Sequence, residues 1–162
     1  MSSNVPVVRQ IAWAYFIPQF LLVFCLIFVY TFAGVPEAPW YAIVTYLILS
    51  IVLRNLIARK HREGMRLVRQ RRFDEAIPLF EESVNFFTRN SWIDKYRYLT
   101  LLSSSRMSYR EMGLCNIAFC YGQTNNGAQA KNYYERVLQE YPKNGLAIAG
   151  LNMLNAFGKP DR

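Results

Sequence analysis

The chain has 162 residues, a formal net charge of +8 and 52% hydrophobic residues, which leaves room for one modest globular unit. Three cysteines and a single histidine exclude a disulfide framework and zinc-ligand spacing, and reduced, buried thiols suit a reducing compartment. Neither charge nor apolar character is evenly spread: residues 54–72 hold eight Lys/Arg against one acid, Glu63, residues 73–162 hold ten against nine, and residues 11–53 are nearly all apolar.

Residues 11–32 run for 22 positions without a charge. As a helix this is about 33 Å, enough to cross a hydrocarbon core of about 30 Å. Ala33, Gly34, Val35, Pro36, Glu37, Ala38 and Pro39 then turn the chain. A second apolar run, 40–57, follows, with Arg54 able to snorkel to the headgroups. Trp13, Tyr15, Tyr30, Trp40 and Tyr41 lie near the ends of the two runs, as an aromatic belt places them. Within 11–32 and 40–53 there is no Asp, Glu, Lys, Arg or His, which argues against a proton or ion path. Pro18 and Gln19 read as a kink and a hydrogen bond to the neighbouring span rather than as a pathway. A cleaved signal peptide competes for the first run. Its weakly basic start, its length and the prolines at its exit speak against cleavage.

Arg54, Arg59, Lys60, Arg62, Arg66 and Arg69 follow the second run, while the turn carries one charge, an acid. The positive-inside rule therefore places both termini in the cytoplasm. Directly after a span, these six cations read as topology determinants and contacts to anionic lipid headgroups, not as a nucleic-acid surface. Residues 1–57 are thus expected to form a two-span membrane anchor.

Two later segments align with each other. Counted from Ile57, Gly64 falls at the eighth position, Ala76 at the twentieth, Phe80 at the twenty-fourth and Ser83 at the twenty-seventh. Counted from Glu111, Leu114, Ile117, Ala118, Tyr121, Ala130, Tyr134, Val137 and Pro142 take the corresponding key positions. On these residues the chain resembles the tetratricopeptide repeat family. The resemblance implies helices over about 55–70, 73–88, 109–121 and 128–141. A closing helix over 146–157 is similar to the solvating helix that ends such arrays, and a polar tail at 158–162 is expected to be mobile.

The expected fold is all-α: a transmembrane helical hairpin, then a short tetratricopeptide-like solenoid over 58–157 with two repeats, an inserted segment and a C-terminal capping helix. Residues 40–70 are expected to form one helix that crosses the bilayer and continues as the first repeat's A helix. The insert, 91–110, separates Ala76 from Ala130 by one period plus 20 residues. Its Trp92, Tyr96, Leu99 and Leu102 follow helical spacing, so an extra amphipathic helix or a lengthened preceding helix is expected. Two readings stay open for that apolar face: it completes the core of an undersized array, or part of it docks on a partner or the bilayer surface.

No nucleophile, general base, phosphate loop or metal-ligand pair stands out, so neither an enzyme nor a cofactor is expected. His61, in the basic stretch, is expected to be solvated or at an interface. Tetratricopeptide arrays commonly bind proteins on a concave face. The resemblance places Ala58, His61, Met65, Val68, Met112, Cys115, Phe119 and Gly122 there. Met65, Met112, Asn116 and Phe119, with Trp92 and Tyr96 of the insert, are the partner-binding candidates. Such a groove suits a helix or hydrophobic peptide, although two repeats also allow Phe119 to be buried core. The expected function is that of a membrane-anchored protein-binding adaptor or scaffold, stabilised by its partner, its lipids or self-association. The alternative is an accessory subunit of a membrane enzyme or transporter, held to it through the hairpin.

Overall fold

The computed structural model describes residues 13–157, and the regular elements in that range are all helices, without a β-strand. The mobile tail expected at 158–162 and the first positions of the first apolar run lie outside the described residues. The chain divides into two units. One joins the apolar segment up to Arg59 with Ser91–Ser108; the other joins Lys60–Asn90 with the segment from Tyr109 onward.

The first unit contains α1 (Phe16–Phe32) and α2 (Ala38–Ile57). A 3-10 turn at Trp13–Tyr15 precedes α1, and Pro18 falls in its first turn, where a missing N–H costs no helical bond. At the other end Gly34 takes the left-handed conformation (φ 71°). The Gly34 and Val35 N–H groups donate to Thr31 and Tyr30 carbonyls, both at 3.0 Å, in a Schellman closure that reverses the chain before Pro39 enters the first turn of α2. Ala38, Ala42 and Ser50, at multiples of four residues, are the buried positions of α2. Small side chains there let two helices approach closely. Across the hairpin, Tyr46 Oη donates to Gln19 Oε1 (3.1 Å), and Tyr30 Oη lies 2.9 Å from Thr45 Oγ1. The hydrogen bond expected of Gln19 is therefore present.

Trp13–Phe32 and Ala38–Ile57 are each long and apolar enough to cross a membrane, and hardly any of their residues are buried. A core helix of a water-soluble domain is mostly covered; these two are not.

The expected continuous helix over 40–70 is interrupted. Ala58 leaves helical geometry (φ −97°, ψ 27°), and α3 (Arg59–Arg69) starts afresh.

In the second unit, α3 and α4 (Phe73–Arg89) form one helical pair, α7 (Tyr109–Gln123) and α8 (Gly127–Glu140) a second, and α9 (Gly145–Phe157) closes it. These bounds match the sequence expectation within a few residues. The two turns share one backbone solution: Arg71 and Asn125 are both left-handed (φ 60° and 58°). They are 54 positions apart, as Ala76 and Ala130 are. After each, the N–H of the next residue folds back: Arg72 to the Leu67 carbonyl (3.0 Å) and Asn126 to the Tyr121 carbonyl (2.9 Å). α4 packs on α7, α7 on α8 and α8 on α9. The core between them is Ala76, Phe80, Val84, Phe87, Leu114, Ile117, Ala118, Ala130, Val137 and Ala147. Asn144 caps α9, accepting from the Ala147 N–H (2.8 Å), and also donates to Glu111 of α7 (2.8 Å). Arg110 ties α4 to α8 through Thr88 (2.8 Å) and Glu140 (2.8 Å). The closing helix departs from a solvating one: Gly145–Ala156 is apolar, with Ile148 and Met153 exposed.

Candidate functional site

The partner-binding candidates divide between the two units. Met65 on α3 and Asn116 on α7 meet directly, with Asn116 Nδ2 3.3 Å from Met65 Sδ. Phe119, one turn further along α7, packs edge-on to Phe73 with ring centroids 5.9 Å apart. Met65, Met112, Asn116 and Phe119 are all half-buried. Four of the eight positions assigned to the groove, Ala58, His61, Val68 and Cys115, are instead buried. What remains accessible is a narrow apolar strip along α3 and α7 with one amide in it. Its polar content is too small to hold a charged ligand, and its sulfur and aromatic atoms suit an apolar side chain of a partner.

His61 departs furthest from expectation. It is buried (7% exposed) in the second unit, with its ring edge-on to Phe80 (5.4 Å) and Tyr109 (5.3 Å), and its Nδ1 has no hydrogen-bond partner. Its neighbours Arg62, Arg66 and Arg69 take the exposed side of α3, while His61, Gly64, Leu67 and Val68 take the inner side. Burial lowers the imidazole pKa to about 4. The neutral form is thus favoured in the fold, and its contribution is complete above the unfolded value of about 6.5 and lost as pH falls from there toward 4. Acidifying from pH 7 to pH 5 is expected to cost this unit about 2 kcal/mol through His61 alone. Urea midpoints at the two pH values, compared between wild type and His61→Leu, check this. An equal acid loss in both would contradict it.

Cys115 and Cys120 lie on α7 among buried side chains. Burial raises both thiols to about 12, helped by the Glu111 carboxylate for Cys115 and by Asp74 for Cys120. Since the thiolate is the reacting species, native-state alkylation at pH 8 is expected to run at least roughly a thousandfold slower than for an exposed cysteine. Peptide mass spectrometry of a timed labelling reads this, and labelling at the rate of the unfolded chain would contradict it.

Of the headgroup candidates, Arg59, Arg62, Arg66 and Arg69 are exposed, Arg59 with an interaction of its own, and Lys60 pairs with Glu82 (2.7 Å). Arg54 is engaged with the insert: its Nε donates to the Leu101 carbonyl (3.1 Å) and its Nη2 to that of Leu102.

The insert belongs to the first unit. It is two short helices, α5 (Ser91–Lys95) and α6 (Arg97–Thr100), and a loop. Sequence reasoning missed its organiser, Arg97, which is buried (7% exposed) and donates to the carbonyls of Asp94 (2.9 Å), Ser105 (3.0 Å) and Arg106 (2.6 Å). Its own carbonyl accepts from Leu101 (3.1 Å) and Ser103 (3.0 Å). The guanidinium also lies over the Tyr15 ring (5.3 Å), and Tyr15 stacks on Tyr98 (5.0 Å). Trp92 and Tyr96 are exposed on the outer side of this insert.

An open cavity of about 400 Å3 lies at the two hairpin turns, lined by Arg71, Arg72, Phe73 and Asn125 among others. Its Arg72 is engaged by Glu75 (2.7 Å) on the surface. Among the described residues no group of three or more His, Cys, Asp or Glu is placed to hold a metal ion. Compared with protein-family descriptions, with curated proteins and with solved structures, the chain matches none.

Proposed function

We propose that the chain is a membrane-anchored adaptor: the α1–α2 hairpin crosses the bilayer with both termini in the cytoplasm, and a tetratricopeptide-like pair of repeats binds an apolar segment of a partner protein. The observation that carries the reading is the strip formed by Met65, Met112, Asn116 and Phe119 on the first helices of two pairs whose turns repeat each other in backbone conformation. Apolar, half-covered side chains on a rigid helical frame are what helix-in-groove recognition uses. Support for the anchor comes from two uncovered apolar helices followed by the exposed Arg62, Arg66 and Arg69.

Co-purification of the full chain from native membranes in mild detergent tests the adaptor. A partner recovered by wild type is expected to be lost with Phe119→Asp or Met112→Asp and kept with Asn132→Asp on exposed α8 surface. Equal recovery by all variants would overturn the strip as the binding face. Replacing both spans by an unrelated hairpin separates the accessory-subunit alternative, since an adaptor keeps its partner and an accessory subunit loses it. Protease acting only from the cytoplasmic face is expected to cut the helical domain.

A further inference from the structure

We propose that the Ser91–Ser108 insert is an interfacial foot, which seats Trp92, Tyr96 and Leu99 in the headgroup region of the bilayer that the α1–α2 hairpin crosses. The inference rests on the membrane reading above and deepens it by assigning an occupant to the exposed face of the insert.

Placement comes first. In an antiparallel hairpin the start of α1 and the end of α2 lie at the same end. Both hold the insert: Tyr15, just before α1, stacks on Tyr98 (5.0 Å), and Arg54, in the last turn of α2, donates to Leu101 (3.1 Å) and Leu102. Leu102 is left-handed (φ 46°), a conformation unfavourable for leucine, and the arginine binds the carbonyl that this turn presents. The insert is therefore fixed where the spans meet the membrane surface.

Its outward chemistry fits that level. Trp92, Tyr96 and Leu99 are 59%, 43% and 49% exposed, at intervals of four and three residues. Tryptophan and tyrosine favour the membrane–water boundary, where an apolar ring and a polar edge are both satisfied. The exposed charges of the insert are Lys95 and Arg106, both basic, while its single acid, Asp94, is buried and engaged. A surface with only cations exposed around an aromatic patch complements anionic headgroups. Arg97 and Thr100 satisfy the carbonyls of Ile93, Asp94, Ser105 and Arg106 from within the insert. Internal partners of this kind lower the cost of laying a short irregular segment against a bilayer.

Depth-resolved quenching tests this on the full chain in phosphatidylcholine–phosphatidylglycerol vesicles, with two single-tryptophan proteins. One keeps Trp92 (Trp13→Phe, Trp40→Phe) and the other keeps Trp40 (Trp13→Phe, Trp92→Phe). Trp92 emission is expected to be blue-shifted, shielded from aqueous acrylamide, and quenched most by acyl chains brominated near the headgroup. Trp92 open to acrylamide, or shielded yet unquenched by any brominated lipid because protein covers it, would overturn the proposal. Trp40, at the far end of the hairpin, reports on the anchor itself. If it too escapes lipid quenching, the membrane reading fails along with the foot. If it is quenched while Trp92 is not, only the foot fails.

Discussion

Arg97→Met is expected to unfold the 91–108 insert locally while the α7–α8 pair keeps its order. The guanidinium is buried and supplies three carbonyls, those of Asp94, Ser105 and Arg106, from one rigid fork. A thioether of similar length donates to none of them. Each lost bond from a charged donor is worth about 1.5–3 kcal/mol, so the insert is expected to lose about 3 kcal/mol or more even after water re-enters. Arg97→Lys should rescue little, because a compact ammonium cannot reach three diverging acceptors. Hydrogen–deuterium exchange resolves the outcome by segment. Peptides across 91–108 are expected to lose protection in both variants, including the Leu101 and Ser103 amides that bond the Arg97 carbonyl. Unchanged exchange there would show that the arginine is incidental to the insert.

The second large effect is expected at Gly64. A Cβ built there would lie 2.9–3.1 Å from three ring atoms of Phe80, which is fully buried and cannot swing away. Gly64→Val therefore combines overpacking with a stiff branched side chain, and is expected to destabilise the second unit by about 3 kcal/mol. Shrinking the opposing ring should relieve the clash. Phe80→Leu alone is expected to cost about 1–2 kcal/mol, and the double variant less than the sum of the two singles by at least about 1 kcal/mol. Gly145→Ala, where a Cβ meets nothing within 4 Å, serves as the near-neutral control. Urea unfolding in detergent measures all four. Additivity of the pair would mean that the two residues do not share the close approach.

These expectations mark where the sequence was informative. Helix identities were legible from punctuation: Gly34 and Pro39 bound the hairpin turn, and Asn144 with Pro142 marks the start of α9. Small residues at fixed intervals announced close approaches at Gly64, Ala76, Ala118 and Ala130, all now buried. Local composition and propensity misled where tertiary context decides. His61 lies among six cations in sequence, yet its register on α3 matches Leu67 and Val68, so it points inward. The run through Ala58 reads as continuous helix by propensity, and no glycine or proline announces the break there. The insert carried a helical apolar pattern but no indication of its neighbour. That came from Arg54, whose position at the end of a span suggested lipid and whose donors are spent on Leu101 and Leu102. At the candidate strip the residue types were legible but not their exposure, because whether Phe119 is open depends on where Phe73 packs.

Site-specific photocrosslinking in native membranes tests the adaptor reading most directly. With a benzoylphenyl side chain installed in turn at Met112, at Phe119 and at Asn132, the strip predicts one discrete adduct from the first two positions and none from the third. No adduct from Met112 or Phe119, or the same adduct from Asn132, would contradict it.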